Sequence, residues 1–246
     1  MLKKILIMLV MMLAQTVHAA FDSIDQANQW LQHYYQQPEP ANLVTALKDL
    51  NQHMPAQDWQ KATPFLFGFI AGAVQQQPQL ATQLLEELKD TNDNLYSAIL
   101  IGVWYADLAQ PNTTALVQAA LINKPALQAR LGFLMSNAVN ILALTVERGP
   151  WVLDAWWGHF FATGQGRAVE QIISATQWLD DSHKEAIMAK GKAGLLLLAI
   201  AGAAKWSLLS NAKVHPRVLT ICQTQVHKQP PAVANQLNEI LAKITQ

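Results

Sequence analysis

The sequence predicts an all-α protein: an antiparallel array of helix hairpins in a single domain, a degenerate tetratricopeptide-like helical repeat. Three observations carry this. Apolar residues recur at helical spacing along nearly the whole chain, no hydrophobic alternation persists, and neither Asn-Gly nor Asp-Gly hairpin turns occur. Prolines punctuate the periodic segments: Pro78, Pro111, Pro125, Pro150, Pro216 and Pro230 each stand at or near the start of one. Proline is tolerated there because the first helical turn has no acceptors for its N–H groups.

Residues 1–19 read as a signal peptide. Lys3 and Lys4 form a positive start, Ile5 to Ala14 is apolar, and Val17-His18-Ala19 offers a cleavage site after Ala19, with Ala20 as the alternative. An uncleaved anchor is the competing reading. At roughly 1.5 Å per residue the apolar stretch is short for a ~30 Å hydrocarbon layer. The expectation is export to the periplasm, with residues 20–246 forming the helical domain. No cysteine follows the apolar stretch, so no lipid attachment is expected.

Composition narrows the function classes. Removing Lys3 and Lys4 leaves 15 basic against 17 acidic residues. Such a balance lacks the concentrated basic face that nucleic acid requires. A 51% hydrophobic, 14% charged chain is no candidate for disorder. Cys222, the only cysteine, cannot form an internal disulfide and reads as a small buried hydrophobe.

Ser23 and Gln26 suggest a capping box opening a first helix, with Ala27, Trp30, Leu31 and Tyr34 on one face. Pro38-Glu39-Pro40 ends it, and Leu43, Leu47 and Leu50 mark a second. Helices then follow over about 58–76, 78–89, 93–109, 111–122, 125–146, 150–162, 166–179, 182–210, 214–228 and 230–244. Two-helix units starting near Asp58, Asn92, Pro150 and Ser182 span about 32–34 residues in three cases, the length of a tetratricopeptide unit. The family's full side-chain series is not found in any of them.

Two long apolar runs, Pro64–Val74 and Ala193–Ala204, fall short of the roughly twenty residues a membrane span needs. Both read as central core helices surrounded by neighbours, so no integral span is expected after signal removal. Gly68 and Gly72, four apart, permit close approach of two backbones.

The densest aromatic stretch is LDAWWGHFFATGQGRAVEQII, residues 153–173. On a helix Leu153, Trp156, Trp157 and Phe160 make one apolar face, and Gly164 fits a C-terminal cap. Val169, Ile172, Ile173, Thr176 and Leu179 supply a matching stripe on the next helix. The stretch therefore reads as a buried hairpin. A catalytic pair of Asp154 and His159 would lie about 140° apart around the helix, and no nucleophile accompanies them.

This run, with AAKWSLLSNAKVHPRV (203–218), resembles uncharacterised exported bacterial proteins with tetratricopeptide-like helical repeats. The resemblance covers the C-terminal 100 residues or so. It implies fold and export, and carries no catalytic residues.

Motifs for chemistry are missing. His33, His53, His159, His183, His215 and His227 form neither H-E-x-x-H nor an i, i+4 pair. Asp180-Asp181-Ser182-His183 is the densest group of possible ligands, but Ser182 and Glu185 read better as a capping box. Asn112-Thr113-Thr114 reads as a helix start rather than a glycosylation site. No P-loop, G-x-G-x-x-G or G-x-S-x-G occurs.

The expectation is thus no enzyme, no metal and no cofactor. It is a periplasmic scaffold for a protein or peptide partner, with exposed aromatics gathered on one concave face. The alternative is a carrier of an apolar ligand such as lipid, which demands a continuous internal cavity. An envelope hydrolase ranks third.

Overall fold

The computed structural model describes residues 21–244, so the signal-peptide reading lies outside the described residues. These residues form thirteen α-helices and contain no strand. The all-α helical array in one domain is the fold. In chain order the helices are α1 Ile24–His33, α2 Leu43–His53, α3 Trp59–Gln76, α4 Leu80–Glu87, α5 Asp93–Ala106, α6 Thr113–Ile122 and α7 Pro125–Arg130. They continue with α8 Trp151–Thr163, α9 Gly166–Ala175, α10 Lys184–Ala189, α11 Lys192–Val214, α12 Pro216–Gln225 and α13 Pro231–Ile244.

The core is a layer of three apolar helices, with α3 packed between α5 and α8. A helix with neighbours on both sides has no face left for polar residues, which is why PFLFGFIAGAV shows no amphipathic stripe. Glycine sets the spacing. A Cβ on Gly68 would overlap the Ala155 carbonyl of α8, and a Cβ on Gly158 would overlap the Phe65 carbonyl of α3. Gly102 of α5 meets the Ile70 side chain and the Phe67 carbonyl in the same way. The Gly68–Gly72 spacing is thus a close contact between core helices. The shorter partners α4, α6 and α9 each pack beside the long helix that adjoins them in sequence.

Local chemistry starts and stops these helices. Ser23 Oγ accepts from the Gln26 N–H, and Asn92 and Asn112 cap α5 and α6 through their side-chain oxygens. The Asn112 sequon is therefore a helix start. Pro125, Pro216 and Pro231 occupy first helical positions. Gly164 ends α8 with φ 64°, its N–H donating to Phe160 O.

Three sequence expectations need correction. The helix expected over 125–146 stops at Arg130 and continues as short 3-10 turns at Gly132–Met135 and Ile141–Ala143. Leu127, Leu131, Leu134 and Leu142 are all buried and mimic helical periodicity. Asn140, however, turns its side-chain oxygen onto the Leu142 N–H, a local bond that competes with the helix. The helix over 182–210 is two helices, broken at Gly191 with φ 55°. There Ser182 does not cap: it donates through N–H and hydroxyl to Asp180 Oδ1. Finally, the run Ala193–Ala204 within α11 is not surrounded, and only one side of that helix is buried.

Candidate functional site

The aromatic stretch that dominates the sequence lies in the core. Trp156, Trp157, His159, Phe160 and Phe161 are all buried, while Asp154 stands on the exposed side of α8. His159 Nε2 lies 2.8 Å from Gln75 Oε1, and Gln75 Nε2 donates to Ala106 O at 3.0 Å. The second bond fixes the amide, so its oxygen faces the ring and Nε2 carries the proton. The relay His159–Gln75–Ala106 ties α8 to α3 and to the last carbonyl of α5. Burial pushes the His159 pKa down to about 4, and Nδ1 has no hydrogen-bond partner. This is a neutral structural brace between the three core helices.

A second group joins elements that no sequence pattern links. His215, between α11 and α12, has its ring 5.0 Å from those of His33 and Phe161 and 6.0 Å from that of Tyr35. Arg217 Nε donates to the Gly164 carbonyl in the α8–α9 turn, against which Tyr35 packs. His33 and His215 were visible only as isolated histidines, because their contact spans most of the chain. Burial, and secondarily His33, lower the His215 pKa to about 4. Among the described residues no group of three or more His, Cys, Asp or Glu side chains is placed to hold a metal.

Cys222 is buried, and burial pushes its thiol up to about 11. It is expected to resist a disulfide reagent such as Ellman's in the native protein and to react fully in denaturant; rapid native labelling would contradict the placement.

The surface offers more than the interior. Between α4 and α6 runs an apolar groove of about 300 Å³, with Leu85, Tyr96, Leu116 and Ala120 along it and Glu86, Lys89 and Lys124 at its edges. Tyr96, itself buried, donates its hydroxyl to Leu85 O at 3.2 Å and forms part of the groove's lining. Lys124 Nζ sits 5.6 Å from that ring centroid and donates to Lys89 O at 2.8 Å. The groove exists because α6 is apolar on several sides yet buries only Thr113, Val117 and Leu121. On its other side Ile122 is exposed, with Phe133, Met135 and Val139 also exposed in the segment held to α6 by Gln118, which donates to Met135 O.

Among the described residues the exposed large hydrophobics thus fall into two patches and not on one face: this corner, and Met188, Leu195, Leu196, Trp206 and Val214 on α10 and α11. A further cleft, of about 220 Å³, lies between Trp178, Met188 and Leu198. Comparison of the chain with family models, with curated proteins and with solved structures finds no match.

Proposed function

We propose that this is an exported, periplasmic protein of tetratricopeptide-like helical construction that serves as a scaffold for a protein or peptide partner and performs no catalysis. The observation that carries the reading is the α4–α6 groove. It is open and mostly apolar, lined by Leu85, Leu116 and Ala120, with Lys124 over the Tyr96 ring and Glu86 and Lys89 also at its edges. Such a groove suits the apolar side of a helical or extended segment, with an acidic residue placed near Lys89 and Lys124. His159, the histidine of the aromatic stretch, is buried and committed to the brace with Gln75, which supports the non-catalytic reading. A carrier of an apolar ligand stands second. Its best support is the cleft at Trp178, where the indole Nε1 is buried without a hydrogen-bond partner. At about 220 Å³ that cleft is smaller than the roughly 300–1,000 Å³ typical of small-molecule pockets.

The test is photocrosslinking in the intact envelope from a benzoylphenylalanine at position 120, compared with one at exposed Gln223 on α12. A discrete protein adduct from position 120 alone, lost when Leu116→Arg is added, is the expected result. Adducts that are absent, or identical from both positions, would overturn the reading.

A further inference from the structure

Among the described residues α11 is the one helix long and apolar enough to cross a membrane, yet only a third of its most apolar stretch is buried. A core helix is apolar because neighbours cover it; this one is covered on one side. Gly194, Leu197, Ala201, Ala204 and Leu208 face the body, where α11 packs on α9, α12 and α13. Leu195 is 63% exposed, Leu196 45% and Trp206 70%, with Ala199 and Ala203 exposed between them. Met188 of α10, 68% exposed, extends the same apolar hairpin. At Gly202 nothing stands within 4 Å of where a side chain would begin, so the middle of the helix is open to an approaching surface.

Charge decides what that surface is. From Met188 to Val214 the chain carries four lysines and no carboxylate. Lys190 and Lys192 stand at one end of the exposed stripe and Lys213 at the other. Lys205 is tied to Glu239 and Gln236 of α13, which holds α11 flat against the body. The nearest carboxylates in sequence before this stretch are Asp180, Asp181 and Glu185. A second copy of the same face would bring like charges together at both ends. An apolar stripe with one tryptophan and lysine at its ends is complementary to an anionic lipid surface, with the apolar side among the acyl chains and the ammonium groups among the headgroups.

We propose that α11 is an interfacial helix that docks this protein on an anionic lipid surface. It lies in the membrane plane over roughly 35 Å, at about 1.5 Å per residue. Leu195, Leu196 and Trp206 enter the acyl boundary, and Lys190, Lys192 and Lys213 contact the headgroups. The Lys205–Glu239 pair and the packing on α13 are retained, so the helix rests on the bilayer and does not span it. The α4–α6 groove uses none of these residues, and docking is independent of any partner bound there.

The experiment is vesicle flotation of residues 20–246, which contain the whole described domain. It compares phosphatidylethanolamine–phosphatidylglycerol vesicles with phosphatidylcholine vesicles. Flotation with the anionic vesicles, about ten-fold weaker on the zwitterionic ones, is expected. Leu195→Glu/Leu196→Glu should lower partitioning at least about ten-fold on both. Lys190→Gln/Lys192→Gln/Lys213→Gln should weaken only the anionic case. Both sets change exposed positions, and unchanged circular dichroism checks that each variant folds. As a second readout, brominated acyl chains should quench part of the native fluorescence, and Trp206→Phe should remove that part. No flotation on either vesicle, flotation unaffected by Leu195→Glu/Leu196→Glu, or a lipid-free dimer abolished by that same pair would overturn the proposal, the last assigning the face to a second copy.

Discussion

Gly158→Ala is expected to lower the free energy of unfolding by about 3 kcal/mol or more, one of the largest losses available from a single methyl group in this protein. The added Cβ would overlap the Phe65 carbonyl of α3, a backbone atom that cannot rotate away. Accommodation requires α8 and α3 to move apart. That separation would also disturb Gly68, seated on the Ala155 carbonyl, and Gly72, seated beside Ala162 and Thr163. Close packing of the layer transmits the strain to neighbours that would otherwise be at their contact optimum. Gly202→Ala in α11 is the control: nothing lies within 4 Å of the new Cβ, so the change should be neutral or stabilise by up to ~1 kcal/mol through helix propensity. Urea unfolding followed by tryptophan fluorescence gives both values. Equal effects at the two glycines would refute the packing described for α3 and α8.

Acidification is expected to destabilise the protein between pH 6.5 and about 4. His159 titrates near 6.5 when unfolded and is held down to about 4 in the fold by burial. A base depressed in this way is neutral in the native state and takes up a proton on unfolding. Its contribution is therefore fully present above pH 6.5 and is lost as pH falls toward about 4; below that the folded protein binds the proton as well. The loss from His159 amounts to about 3 kcal/mol. His215, lowered in the same direction, adds to the slope. In His159→Met the Gln75 oxygen loses its donor, so the variant should be less stable at pH 7 and show a shallower decline toward pH 4. An unchanged decline would mean that His159 is not the group being titrated.

What the sequence made legible follows from which interactions are local. The buried hairpin of α8 and α9 was readable because its stripe, Leu153, Trp156, Trp157 and Phe160, and its closing glycine, Gly164, lie within one short segment. Helix starts at Asn112, Pro125 and Pro216 were readable for the same reason. The region after Arg130 was not, because its leucines are buried by neighbours while Asn140 directs the local backbone elsewhere.

Burial of α11 was misread from the composition of Ala193–Ala204. An all-apolar helix has no stripe to show which side meets the body, and that choice is made by α9, α12 and α13. The groove shares this origin. Leu116 and Ala120 stand on a largely apolar helix, and the packing of its neighbours leaves both half-buried in the groove. The brace from His159 to Gln75 crosses 84 positions and had no local signal beyond two polar residues within apolar helices.

The most direct test of the scaffold reading is native mass spectrometry of the protein released without detergent from its own envelope. The account predicts a stoichiometric complex with another polypeptide that is absent from the Leu116→Arg variant. A chain carrying instead the mass of a lipid, released on denaturation and extracted into organic solvent, would contradict it and make the carrier reading the one to pursue.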